Sequence, residues 1–345
     1  MNSFPATSLS FLPRLPLLLS LFWVCGVLLM PAAGAVAVTD LYEVSMPVTS
    51  NRDAAFVDAL RVVAVRVSGR RDAAARLGGT PGNPRQYVQR FSFTPDNVLL
   101  VAFDSVSVDK LLIDAGLPIW ARERPATLVL LNVTAANGSN YWIDSAGMSA
   151  EREMVTRAAK QRGLPIIWPD MSTIDRTQLH TGDDAATADP GALMQAASRY
   201  NANAALLGNA RSDGAGGLAV RWQLASDSEN VSASGSLEDG VHMAADAFAR
   251  VYSASGASLD SVAVEVSGIN TLGAYADTLN YLEAMTLVRA VAVEQVSGDT
   301  MKFKLAVRGD AATLRRALAL DGKLVAVSQA DASQPVDRLQ FRYQP

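Results

Sequence analysis

Apolar positions along this chain repeat with two periods, and the switches between them mark out the elements. In "DLYEVSMPV", Leu41, Glu43 and Ser45 alternate with Tyr42, Val44 and Met46, the two-residue period of a strand. Phe56, Leu60, Val63 and Val67 then recur at helical spacing, with Arg52, Asp58, Arg61 and Arg66 off that face. Ser50 or Asn51 can cap this helix, and Asp53 sits in its first turn. "GGTPGNP", Gly78 to Pro84, is a loop by composition. "RQYVQRFSF" and "NVLLVAFD" read as a hairpin over Pro95-Asp96-Asn97. A helix from Ser105 or Ser107 turns Val108, Leu111, Leu112 and Ala115 inward and stops at Gly116-Leu117-Pro118. "ATLVLLNV", Ala126 to Val133, is nearly all apolar and suits a strand buried on both faces. The order is β-α-β-β-α-β, the ferredoxin-like pattern, unless that last strand opens the next unit instead.

The middle of the chain has another order. A helix from about Ser149 to Gln161, the strand "LPIIW", the polar loop "TGDDAATADPG" and a helix from Gly191 to Tyr200 come first. "AALLGNA" and "LAVRWQL" follow as a hairpin, then "NVSASGSL" and a helix from Gly240 to Tyr252. Alternating helices and strands followed by antiparallel strands predict a small α/β sheet of mixed direction. "SASGAS", Ser253 to Ser258, reads as a linker. Beyond it, "SLDSVAVEVSG", a helix from Thr271 to Met285, a hairpin over Ser297-Gly298-Asp299, a helix from Ala311 to Leu320 and "KLVAV" repeat the β-α-β-β-α-β order. The fold class expected is therefore mixed α+β and α/β: two ferredoxin-like units, 38–125 and 258–345, flanking a mixed-sheet unit at 126–254.

Composition adds a compartment. "LPLLLSLFWVCGVLLM" follows Arg14 and precedes "PAAGAVA", where Ala33 with Ala35, or Ala35 with Ala37, fits the small-x-small rule of signal peptidase. The run suits a signal-peptide core and is short for a spanning helix, so residues 1–37 are expected to be removed, the alternative being an uncleaved inner-membrane anchor facing the periplasm. Cys25 lies inside that run, so the exported chain is expected to hold neither a thiol nucleophile nor a thiolate metal site. Phe22, Trp23 and Val24 before it do not match a lipoprotein signal. The net charge of -4 becomes -5 when Arg14 leaves with its acid-free leader, which argues against a polyanion partner such as a nucleic acid.

Candidate chemistry is sparse. "AVRVSGRRD" places Gly69 just past a helix end, with Arg70 and Arg71 at the negative end of its dipole, opposite to an anion-binding N-terminus. Val-Ser-Gly recurs at Val266–Gly268 and Val296–Gly298, once before a helix and once in a hairpin turn, a composition for stopping elements. "GLPIW" at Gly116 and "GLPIIW" at Gly163 each follow a helix, and Trp120 and Trp168 are expected either to pack on the joint or to wall a groove. His180 and His242 lie in separate segments without metal-ligand spacing, so no metal or cofactor is expected. Asp183, Asp184 and Asp189 lack the calcium-loop spacing. Ligands favour the carboxyl ends of strands in an α/β sheet, which singles out Asp170 and Asp175 after "LPIIW" and Asn209 and Arg211 after "AALLG". Trp120, Arg122 and Arg124, around the charge cluster "ARERP", are the other candidate partner-binding residues.

The stretches "VRVSGRRD", "YVQRF", "VAFD", "VDKLLIDAGLPIWARERPATLVLL" and "RGLPIIWPDMSTID", with "ANAALLGNARSD" and "VRWQL", resemble the bacterial family catalogued as domain of unknown function 2066. That resemblance implies an exported protein of Gram-negative bacteria and carries no catalytic residues. The Gly-Pro-rich Leu77 to Arg85 departs from the more helical segment it implies. Together these readings point to a non-enzymatic envelope protein that binds other envelope proteins. The alternatives are a periplasmic module for a small molecule or glycan, and a hydrolase using Asp170 and Asp175.

Overall fold

A computed structural model describes residues 36–49, 51–78, 83–170, 188–212, 217–256, 258–327 and 338–344. It is a mixed α+β structure built on three main sheets, each with its own apolar cluster.

The first module opens with β1 (Val36–Ala37), β2 (Glu43–Pro47), α1 (Arg52–Ser68) and the short α2 (Ala73–Arg76). Asn51 caps α1, its side chain accepting from the Ala54 N–H at 2.7 Å, and Gly69 ends it at φ 69°. A 3-10 turn (Pro84–Tyr87) leads into β3 (Val88–Phe93), β4 (Val98–Phe103), α3 (Ser105–Asp114), β5 (Ile119–Trp120) and β6 (Glu123–Arg124). Phe56, Leu60, Val63 and Val67 of α1 meet Val44, Leu99, Val101 and Phe103 of the sheet in one core. The order β2-β4-β3 is that of three ferredoxin-like strands, and the sheet stops there. Two causes are visible on the free edge of β2. Arg66 Nη1 takes the Glu43 carbonyl at 2.8 Å, and Pro47 has no N–H to offer a neighbour.

The strand that the sequence leaves open between the first two units belongs to the second. β7 (Thr127–Thr134) lies at the heart of the second module, followed by β8 (Asn140–Ile143), α4 (Ala150–Arg162), β9 (Ile166–Ile167), α5 (Pro190–Arg199), β10 (Ala204–Ser212), β11 (Leu218–Ser226), β12 (Asn230–Gly235) and α6 (Leu237–Tyr252). The sheet order is β12-β11-β10-β7-β8, with β9 beside the first half of β7. β10 and β9 run parallel to β7, and the other pairs are antiparallel. Val129, Leu131 and Val133 point to the cluster holding α4 and α6, while Leu128 and Leu130 point to the one under α5. Burial on both faces is what an uninterrupted apolar strand requires, and only the middle sheet supplies it.

"SASGAS" is not wholly a linker. Its first two residues form β13 (Ser253–Ala254), antiparallel to β5, with Ser253 opposite Trp120. The third module then contains β14 (Leu259–Ser267), α7 (Leu272–Ala284), β15 (Val288–Ser297), β16 (Thr300–Arg308), α8 (Ala311–Leu318), β17 (Leu324–Ala326) and β18 (Arg338–Tyr343). Its order β15-β16-β14-β18-β17 departs from the ferredoxin-like expectation. β17, the "KLVAV" strand, sits at the edge because β18 intervenes parallel to β14. The chain from Ala32 to Pro345 forms one compact unit.

Candidate functional site: an arginine-lined cleft

Where the first two modules meet, the C-terminal ends of α1 and α4 converge on three buried arginines, Arg66, Arg124 and Arg162. Arg124 is fully buried, lies 3.8 Å from the Trp120 ring centroid and donates to five carbonyls: Ala121 at 3.0 Å, Arg162 at 3.0 Å, Gly163 at 2.9 Å, Arg66 at 2.8 Å and Trp120 at 3.2 Å. Three of those carbonyls end α1 and α4, whose negative dipole ends stand where a carboxylate usually would. Burial, with Arg66 adding repulsion, lowers the Arg124 pKa to about 9. Arg162 Nη2 donates to the Gly69 carbonyl at 2.7 Å and to Asp246 Oδ1 at 2.6 Å. The α1 terminus is thus closed by Arg124 and Arg162 from other elements, not by Arg70 and Arg71.

Arg70 and Arg71 are therefore left on the rim of an open cleft of about 390 Å³ between the α1 terminus and α6, walled by Ser68–Asp72, Pro118, Asp246, Ala249, Arg250 and Ser253. Gly69 permits this close approach, since a Cβ there would overlap Ala249 and touch Trp120. Asp72 accepts from Arg70 at 2.7 Å and from Arg76 at 2.7 Å, and hydrogen bonds from both hold its carboxyl well below the usual range. Asp246 is shared between Arg71 at 2.9 Å and Arg162 at 2.6 Å, and Arg250 pairs with Glu229 at 2.7 Å. Among the described residues, five guanidiniums (Arg70, Arg71, Arg76, Arg162 and Arg250) pair with three carboxylates here, and a fourth, Asp239, lies within electrostatic reach of Arg71. His242 faces the same cluster, half-buried, its Nδ1 3.4 Å from Arg162 Nη1. Arginine only donates, so Nδ1 is the acceptor and the ring is neutral in that contact. The cleft can therefore hold a negatively charged group by bidentate guanidinium bonds. The doublet in "SGRRD" was the only sign of it in the sequence, because its other wall is about 175 positions away.

The residues singled out from the sequence are dispersed. Trp120 and Arg124 are completely buried and offer no surface to a partner, whereas Arg122 is exposed, its N–H 3.3 Å from Thr286 Oγ1. Asp170 follows β9 on one flank of β7, and Asn209 and Arg211 lie on β10 at the other flank. β8 occupies the crevice position beside the second half of β7, so the structure does not bring these residues together. The Asp170 backbone is held by Tyr200, with an N–H to Oη distance of 3.0 Å and an Oη to carbonyl distance of 2.9 Å. Asp175, His180, Asp183 and Asp184 lie outside the described residues. Asp189 caps α5, accepting from the Ala192 N–H at 3.0 Å. Trp168 donates to Thr156 Oγ1 at 3.1 Å and lies against α4.

Residues 35–121, about a quarter of the chain, match a family model described as Domain of unknown function (DUF8605). This replaces the expected likeness to domain of unknown function 2066. The phrases that suggested the latter, such as "VSGRRD" and "GLPIW", are helix stops whose chemistry any α/β chain can use. No curated protein matches the chain. Over its first module the chain is similar to an uncharacterised family, and that likeness assigns no role to a residue.

Proposed function

We propose that this chain is an exported, non-enzymatic interaction module that docks an acidic segment of another envelope protein in the arginine cleft. The observation that carries this reading is the surplus of guanidiniums over carboxylates in an open cleft, on a chain whose net charge is -4. Arg71 and Arg250 keep 60% of their side-chain surface exposed, so a partner carboxylate can reach them. In both pairs the guanidinium is the exposed partner, so an incoming acid can join Asp246 on Arg71 or Glu229 on Arg250 while Asp246 stays on buried Arg162. The cleft spans two modules, which makes it sensitive to how they are joined. Export rests on the apolar leader, with maturation leaving Val36 or Val38 first.

The test is cross-linking in cells, comparing the wild type with the double variant Arg71→Glu, Arg250→Glu and with Arg61→Glu on the exposed face of α1 as a control. A partner set retained by the wild type and the control but lost by the cleft variant supports the reading. Identical capture by all three removes it.

A further inference from the structure

The middle sheet carries a second surface, on the face turned away from α6 and the cleft. Strand register places Ser234, Arg221, Asn209, Asn132 and Trp142 side by side across β12, β11, β10, β7 and β8. The row lies on the α5 face. Asn132 follows Leu130 and Asn209 follows Leu207 by two residues, and both leucines belong to the α5 cluster, against which Trp142 also packs. Gln223, two residues after Arg221, is tied to Ala188 just before α5 at 2.8 Å. With neighbouring strands about 4.8 Å apart, the row runs roughly 19 Å across the sheet.

These residue types are unusual there. β7 and β10 are the central strands, where Asn is disfavoured and β-branched residues fit best. Two adjacent strands nevertheless carry Asn at the same level, each partly buried, and neither amide is hydrogen-bonded within the described residues. Arg221 is exposed and makes no ion pair there either. A local rule broken twice at one level, without a compensating internal contact, marks a surface shaped for something outside the chain.

The chemistry of the row selects its occupant. An Asn amide donates and accepts at once, as a sugar hydroxyl does, so two adjacent amides suit neighbouring hydroxyls of a ring. Trp142, at one end, offers an apolar face to the C–H side of a sugar with its N–H left over. Arg221, two strands from Asn132, suits a carboxylate. Backbone groups in mid-sheet are already paired in the ladder, so a peptide strand cannot add here as it would at an edge. We propose that this row is a binding platform for a short acidic oligosaccharide, lying across the strands with a ring on Trp142, hydroxyls on Asn132 and Asn209, and a uronate carboxylate on Arg221.

The experiment titrates the full exported chain with hexagalacturonate, neutral cellohexaose and hexaglutamate, following heat and tryptophan fluorescence. Hexagalacturonate binds best. The double variant Asn132→Thr, Asn209→Thr weakens it about tenfold or more while thermal unfolding stays level or rises, since Thr favours strands. Arg221→Gln reduces the acidic sugar to the level of the neutral one, and Trp142→Leu abolishes the fluorescence change. No binding by the wild type, undiminished binding by the threonine variant, or hexaglutamate binding as tightly as the sugar overturns the proposal.

Discussion

Trp222 shows how closely single residues are specified. Its indole lies between Gly208, opposite it on β10, and Gly240 in α6, and a Cβ on either glycine would overlap the ring. Its Nε1 donates to the Ser236 carbonyl at 2.9 Å, so the ring cannot slide away without losing a buried bond. Gly240→Ala is expected to cost about 2–3 kcal/mol by overpacking, measured as a shift in urea midpoint. Gly298→Ala in the β15–β16 turn should cost only about 1 kcal/mol, because its φ of 61° is disfavoured but nothing lies within 4 Å. Equal losses at the two positions would mean that Trp222 can relax. Arg124 is specified by reach. Lysine carries its charge at one point and cannot span the carbonyls of Ala121, Arg66, Arg162 and Gly163. Arg124→Lys is expected to lower stability by about 3 kcal/mol through the carbonyls it leaves unpaired. A loss under about 1 kcal/mol would show that water fills their place.

At the scale of elements, α6 packs on α4 within the second module, and it brings His242 to the arginine cluster beside the end of α1. Burial first, then Arg162 and Arg71, hold the His242 pKa below its ordinary value, with Asp246 and Asp239 opposing. Between that lowered value and about 6.5 the unfolded chain binds more protons than the folded one, so this residue's share of stability falls as pH drops through the window. His242→Gln should leave stability at pH 8 almost unchanged and flatten the loss between pH 6.5 and 5, read from denaturant midpoints at each pH. Parallel pH profiles for both proteins would exclude this joint as the acid-sensitive element. Elements were also the scale best read from the sequence. The α1 period, the Asn51 cap and the Gly69 and Gly163 stops follow from local chemistry and stand in the structure. What failed was partnership between distant segments. Nothing in Ser253-Ala254 says that it pairs with Ile119-Trp120, and nothing near Arg124 says that its ligands are helix ends at positions 66 and 162. The cleft stayed hidden for the same reason, while Asn209 and Arg211, expected just after a strand, lie within β10, and β8 closes the crevice that suggested them.

For the whole molecule, the question is what makes three sheets behave as one body. The first and third modules meet at Asp109 of α3, which is buried with Arg308. Asp109 Oδ1 accepts from the Tyr42 hydroxyl at 2.6 Å, and Oδ2 faces Arg308 Nη1 at 3.3 Å and Arg289 Nη2 at 3.4 Å. Burial, then Asp109 itself, raise the Tyr42 pKa, so the phenol stays protonated as the donor this arrangement needs. One carboxylate thus answers a hydroxyl from its own module and two guanidiniums from another. Removing its charge leaves Arg308 buried without a counter-ion, the costly way to break such a cluster, whereas removing both partners is far less damaging. Asp109→Asn is therefore expected to destabilise the protein by about 3 kcal/mol and to split its thermal unfolding into two transitions, the third module melting first. Adding Arg308→Met should recover part of the loss, because the orphaned charge is gone. The cleft is formed by the first and second modules alone, so Asp109→Asn should keep whatever the cleft captures at temperatures below the first transition. A single, unshifted transition in Asp109→Asn would show that the apolar contacts between modules suffice, and that this cluster decorates the joint instead of holding it.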